Sequence, residues 1–240
     1  VTDRATAGNN ANAYQDLDND NLSDYQPQTP ASGDPSYQHF NFRFADAFRT
    51  SMGTDVTTDR DAAITQAFYR VNFLHDYFYV LGFDEPAGNF QDDNFGRGGI
   101  GNDGMLVEVH NGFNVGTPES SNTQTPPGQR PRMELNAVAS AAADGAFDAD
   151  LIAHEYTHGV SNRLLMTEVV GGGLPKNNQT WALGEGWSDF YGTSIFDDPV
   201  AGEYVCANPT TGCPFYAYDN SPLVYSDMCT VVAGCEPHRD

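Results

Sequence analysis

The chain has 240 residues and a mass of 26.1 kDa, enough for one large domain or two small lobes around a real core. Thirty-three acidic side chains against eleven basic ones give a formal charge of −22, a surface that repels nucleic acid and anionic membranes and suits a self-repelling secreted protein. No run of about eighteen apolar residues is present to span a bilayer, and the opening VTDRATAGNN has no apolar signal-peptide core, so an exported form is expected to have lost its leader and any pro-segment.

Residues 1–60 are polar, rich in Asn, Asp, Thr and Pro, and read as loops with short strands. Within them, QDLDNDNLSDY places Asp16, Asp18, Asp20 and Asp24 at calcium-loop spacings. Position six of that loop is Asn21 rather than glycine and position twelve is Pro27 rather than glutamate, which favours a solvated acidic loop and keeps calcium as the alternative. From Asp59 to Leu81, apolar residues at 64, 68, 71, 74, 78 and 81 have the three-to-four spacing of an amphipathic helix, with Gly82 as its stop. His75, inside that helix, reads as a hydrogen-bonded structural histidine, and so do His39 and His110. Residues 84–132 read as irregular sheet and long loops, with GMLVEVH (104–110) the one convincing strand. Two helices follow, one starting near Asp148 or Asp150, the other from about Thr180 to Phe196, joined by the glycine-rich VVGGGLPKNNQ (169–179). The tail from Asp197 reads as loops. Its cysteines are spaced for two short-range disulfides, Cys206–Cys213 and Cys229–Cys235, which imply an oxidising compartment. Neither pair has the tight CxxC-type spacing that a tetra-cysteine zinc site usually uses.

The chemistry gathers in LIAHEYTHGVSNRL (151–164). At about 100° per residue, His154 and His158 share one helical face and can reach a common point, with Glu155 on the flank of that face. This is the geometry of zinc peptidases. Leu151, Ile152, Ala153, Tyr156 and Val160 make the helix apolar nearly all round, so it should be buried, and buried histidines and glutamate need compensation that a metal would supply.

A catalytic zinc takes three protein ligands and leaves a position for water. Ser161 and Leu164 stand where a metzincin would carry glycine and histidine, and Asn177 and Asn178 stand where a shorter spacing would want glutamate. The second helix offers WALGEGWSDFYG instead. Glu185 can complete the ligand set, and Asp189, four residues on, can accept the other N–H of a ligating histidine. Leu183, Trp187 and Phe190 point to the other side, and glycines 184, 186 and 192 permit close helix approach. Glu168, in the connector, is the rival ligand but lacks such a carboxylate partner.

HEYTHGVSNRL followed by GEGWSDF resembles the fungalysin family of secreted zinc metalloendopeptidases, gluzincins related to thermolysin. NFLHDYFYVLGFDEPAGNFQDDNFGRGGIGND (72–103), GQRPRME (128–134) and CEPHRD (235–240) carry the likeness over roughly residues 60–240. The resemblance implies one zinc held by His154, His158 and Glu185, and Glu155 as the base that takes a proton from the attacking water. It implies His238 as a transition-state stabiliser and Asn122 as a residue that binds the substrate backbone. The implied fold is α+β and thermolysin-like. Residues 1–164 would form a mixed sheet and helix lobe ending in the HExxH helix, and 165–240 would begin a mainly helical second lobe.

Fungalysin catalytic domains continue well beyond this histidine, so the chain is expected to be a piece of a longer, secreted protease. Its expected partners are protein or peptide substrates, the remainder of its own second lobe and a propeptide, with neither nucleic acid nor membrane among them. Two readings of other classes compete: a module whose zinc only staples two helices, and a calcium-binding adhesive domain on a protease-like scaffold. A structural zinc would be closed by four protein ligands, and only three stand in register, with Glu155 intact.

Overall fold

In a computed structural model, residues 5–29, 39–116, 121–165, 178–214 and 216–222 are described, with the side chains of 178 and 179 left aside. Among them the architecture is α+β. A four-stranded sheet, order β1-β2-β4-β3, is built from β1 (Ala11–Gln15), β2 (Met105–Val109), β3 (Asn122–Gln124) and β4 (Arg132–Leu135). β1 and β4 both run parallel to β2, while β3 lies antiparallel to β4 at the sheet's edge. Two-residue strands β5 (Ala137–Val138) and β6 (Ala143–Asp144) form a separate pair. The helices are α1 (Ala47–Thr50), α2 (Arg60–Val80), α3 (Ala149–Leu164) and α4 (Asn178–Phe196).

Period-two alternation decides which face of the sheet is apolar. Ala11, Ala13, Met105, Val107, Val109, Met133 and Leu135 are buried in one cluster with Ile64, Val71, Leu74 and Phe78 of α2 and Ile152, Tyr156 and Val160 of α3. Apart from Leu106, side chains of the opposite parity carry polar groups, several of which pair with one another. Tyr14 donates to Glu108 at 2.9 Å, Arg132 meets the same carboxylate at 3.0 Å, and Arg132 also donates to Asn21 of the acidic loop. Glu108 is thereby fully enclosed, and burial pushes its carboxyl up to about 7 against the pull of Arg132.

The expected helix over 59–81 forms as Arg60–Val80, but Leu81 is exposed because it caps the end of α2 rather than continuing its buried stripe. GMLVEVH supplies β2 as expected. RMEL (132–135), not singled out as a strand from the sequence, forms β4 in a parallel ladder with β2. Asp148 is the cap of α3: its Oδ1 accepts the backbone N–H of Asp150 and Leu151, and its Oδ2 accepts that of Val205. His75 and His110 are buried and hydrogen-bonded as expected, to Gln91 at 3.0 Å and Asp144 at 2.8 Å respectively. His39 is exposed and so lies outside the core.

Candidate active site

α3 packs against the sheet, α2 and α4, which turns its histidine face toward α4. Gly159, on α3, approaches the sheet so closely that an added Cβ would meet Phe90, Thr123 and Met105 at 3.2–3.4 Å. On the other side, an added Cβ at Gly192 of α4 would lie 3.5 Å from the carbonyl of Asp150. Gly184 is also buried, whereas Gly186 is exposed with nothing within 4 Å of an added Cβ, so the expected role in helix approach does not apply to Gly186.

His154 and His158, one turn apart, stand edge to face with their Nε2 atoms 3.0 Å apart. Glu185 Oε2 reaches both, at 3.1 Å and 3.3 Å. One donor atom from each of the three residues lies within 4.8 Å of the others. Asp189 Oδ1 sits 2.6 Å from His154 Nδ1, so Nδ1–H is committed to the carboxylate and Nε2 is the ring atom turned to the cluster. Two imidazole nitrogens and a carboxylate oxygen converging in this way fit a tetrahedral zinc with an open fourth position.

The charges of the cluster act strongly on one another. Burial opposes charge on His154, but the Asp189 and Glu185 carboxylates outweigh it and push the imidazole up to about 10. Hydrogen bonds from the two histidines hold the Glu185 carboxyl well below the usual range. Glu155 behaves differently. It is 5 % exposed, burial pushes its carboxyl up although both imidazoles pull it down, and its Oε2 has no hydrogen-bond partner among the described residues. A carboxylate left in that condition is poised to take a proton.

A cleft opens over these residues. His154, Glu155, His158 and Glu185 share it with Asn122 of the edge strand β3 and Glu134 of β4. Asn122 faces Glu134 across the ladder. Among the described residues no strand pairs with the other side of β3, and a sheet edge of this kind can add an extended peptide segment.

A family model described as fungalysin metallopeptidase (M36) matches residues 2–238. The chain belongs to the fungalysin family. Extracellular metalloproteinase 5 of Trichophyton rubrum is 36% identical over 238 residues, covering 92% of this fungalysin chain and 35% of the relative. Probable extracellular metalloproteinase 4 of Trichophyton verrucosum is 36% identical over 245 residues, with the same coverage of each. The chain thus spans about a third of the length of these relatives.

The remaining expected residues of the fungalysin chain divide into three groups. Cys206 and Cys213 form a disulfide, as their spacing suggested. His238, Cys229, Cys235 and the rival Glu168 lie outside the described residues. Of the acidic loop, Asp16, Asp18 and Asp24 place carboxylate oxygens within 4.8 Å of one another, but Asp20 does not join them and instead accepts the N–H of Leu22. Asp16 also accepts the N–H groups of Asp20 and Asn21, so the loop's own backbone helps to hold the three carboxylates together.

Two contacts were not read from the sequence. Trp181 Nε1 donates to Glu185 Oε1 at 2.7 Å from one turn earlier on α4, a contact that i,i+4 spacing could have disclosed. Tyr218 donates its hydroxyl to Asp189 Oδ2, and no local pattern signals it.

Proposed function

We propose that this fungalysin is a secreted zinc metalloendopeptidase in which His154, His158 and Glu185 hold the metal and Glu155 is the general base. The observation that carries the reading is the convergence of three donors beside a buried glutamate whose second oxygen is unpartnered. Bound there, zinc supplies a Lewis acid that makes a water acidic near neutral pH and polarises the scissile carbonyl.

The chain's own residues do the rest. Asp189 fixes the His154 tautomer through Nδ1, and Trp181 fixes the Glu185 carboxylate through Oε1. Glu155 takes the proton from the attacking water and passes it to the leaving amine, a role suited to a carboxyl raised by burial. β3 offers its edge to the substrate backbone, with Asn122 as a hydrogen-bonding side chain on the cleft wall. His238 would donate a hydrogen bond to the developing oxyanion, a role that rests on the family resemblance alone.

Secretion is supported by the Cys206–Cys213 disulfide, and among the described residues no helix is long and apolar enough to cross a membrane. The thermolysin-like arrangement in two lobes, divided after residue 164, belongs to the same proposal. So does a further lobe or propeptide as partner, for which the exposed Leu183, Trp187 and Phe190 on the outer side of α4 offer an apolar surface. The competing staple or adhesive module would need a fourth protein ligand at the zinc or a purely structural ion. The test is elemental analysis together with hydrolysis of an unstructured protein such as casein. About one zinc per chain and hydrolysis lost on chelation and restored by zinc are expected; zinc-free protein that still cleaves, or zinc-loaded full-length protein that does not, overturns the reading.

A further inference from the structure

Asp189 has two carboxylate oxygens, and different parts of the chain use them. Oδ1 orients His154, while Oδ2 accepts the phenolic O–H of Tyr218, which lies 29 residues further on and outside both motif helices. The segment carrying Tyr218 is anchored at several points. Cys213 N–H bonds Ala201 O, the Cys206–Cys213 disulfide closes the turn, and Tyr218 N–H bonds Pro199 O at 2.9 Å. The same turn is tied to the start of α3, where Gly202 N–H reaches Asp150 and Val205 N–H reaches Asp148 at 3.0 Å. Val205 and Ala217 are buried beneath it. Asp150, His154, Asp189, Gly192, Gly202 and Val205 consequently line one cavity behind the metal donors.

We infer that Tyr218 is a positioning residue for the zinc centre, acting through Asp189 on His154. The inference rests on the zinc reading above. A carboxylate held at one oxygen can pivot about its terminal torsion, which is broad and has no sharp staggered wells. A second hydrogen bond at the other oxygen fixes its plane and holds Oδ1 turned toward Nδ1–H. Partial burial and the Asp189 charge push the Tyr218 hydroxyl well above its ordinary range, so it stays the donor in this contact. The turn stapled by the disulfide thereby reaches the metal site without contributing a ligand.

Tyr218→Phe removes only the hydroxyl. Zinc affinity is measured on the full-length protein by competition with a chromophoric chelator. Direct outer partners of ligating histidines are worth roughly 10–100-fold in metal affinity, so a residue one contact further out should be worth about 3–10-fold. The same substitution in an Asp189→Asn background should change affinity by less than about 2-fold, because the route is already broken. 3-Fluorotyrosine at 218, which retains ring and hydroxyl, should bind zinc within about 2-fold of wild type. Equal affinity of Tyr218→Phe and wild type overturns the inference. So does an equal loss in both Asp189 backgrounds, or a loss with fluorotyrosine as large as with phenylalanine. Wild-type protein that binds no zinc would instead overturn the zinc reading itself.

Discussion

Glu155→Gln separates proton transfer from metal binding. The two side chains have the same length and shape, and the change replaces a carboxylate oxygen by an amide that cannot take a proton. Glu155 is 5 % exposed and stands outside the three-donor group, so the substitution leaves the proposed zinc ligands in place. Loss of a general base costs typically 10²–10⁴-fold, which corresponds to about 3–5 kcal/mol of barrier at 1.36 kcal/mol per decade. Folding stability should respond far less. The buried Oε2 lacks a hydrogen-bond partner among the described residues, and exchanging that cost for the cost of a buried amide should leave stability within about 1 kcal/mol. The assay compares initial rates on an internally quenched peptide at equal zinc loading, with zinc per chain from elemental analysis and stability from urea denaturation. Turnover within about threefold of wild type at equal loading would refute Glu155 as the base. Zinc lost along with activity would refute the separation of the two roles.

Asp148→Ala removes the α3 cap and strands the Val205 N–H, and should lower stability by about 2–4 kcal/mol in urea denaturation; a loss under about 1 kcal/mol would show that these contacts are replaced. Cys206→Ser with Cys213→Ser opens a loop of sequence separation 7 and should cost about 2 kcal/mol by the chain-entropy relation, read from the same denaturation curves under oxidising conditions; no change would mean the turn is held without its staple. Burial pushes the Glu108 carboxyl up from its ordinary 4.5 to about 7, so its uncharged form favours the fold. Its contribution is complete below about 4.5 and is lost as pH rises through about 7, up to about 3 kcal/mol in all; Glu108→Gln should flatten that slope, and an unchanged slope would refute the assignment.

Local order was legible because it is written in neighbouring residues. The 3.6-residue period placed α2 and α3, put His154 and His158 on one face, and marked Asp148 as a candidate cap. Elimination of Ser161, Leu164, Asn177 and Asn178 pointed to Glu185, and one helical turn pointed from it to Asp189. What the sequence could not carry is pairing between distant segments, where any of several registers satisfies the same polar and apolar pattern. β1 joins β2 across more than ninety residues, and RMEL is a strand only because β2 lies beside it. The acidic loop illustrates the same limit, since regular spacing suggested four ligands and the backbone fold left Asp20 facing elsewhere. Tyr218 is the clearest case: nothing periodic connects it to Asp189, and only burial of the disulfide turn against the start of α3 brings its hydroxyl to that carboxylate. The donor types at the site follow from the residues themselves, while their convergence, the enclosure of Glu155 and the second hydrogen bond on Asp189 follow from which surfaces the folded chain removes from water.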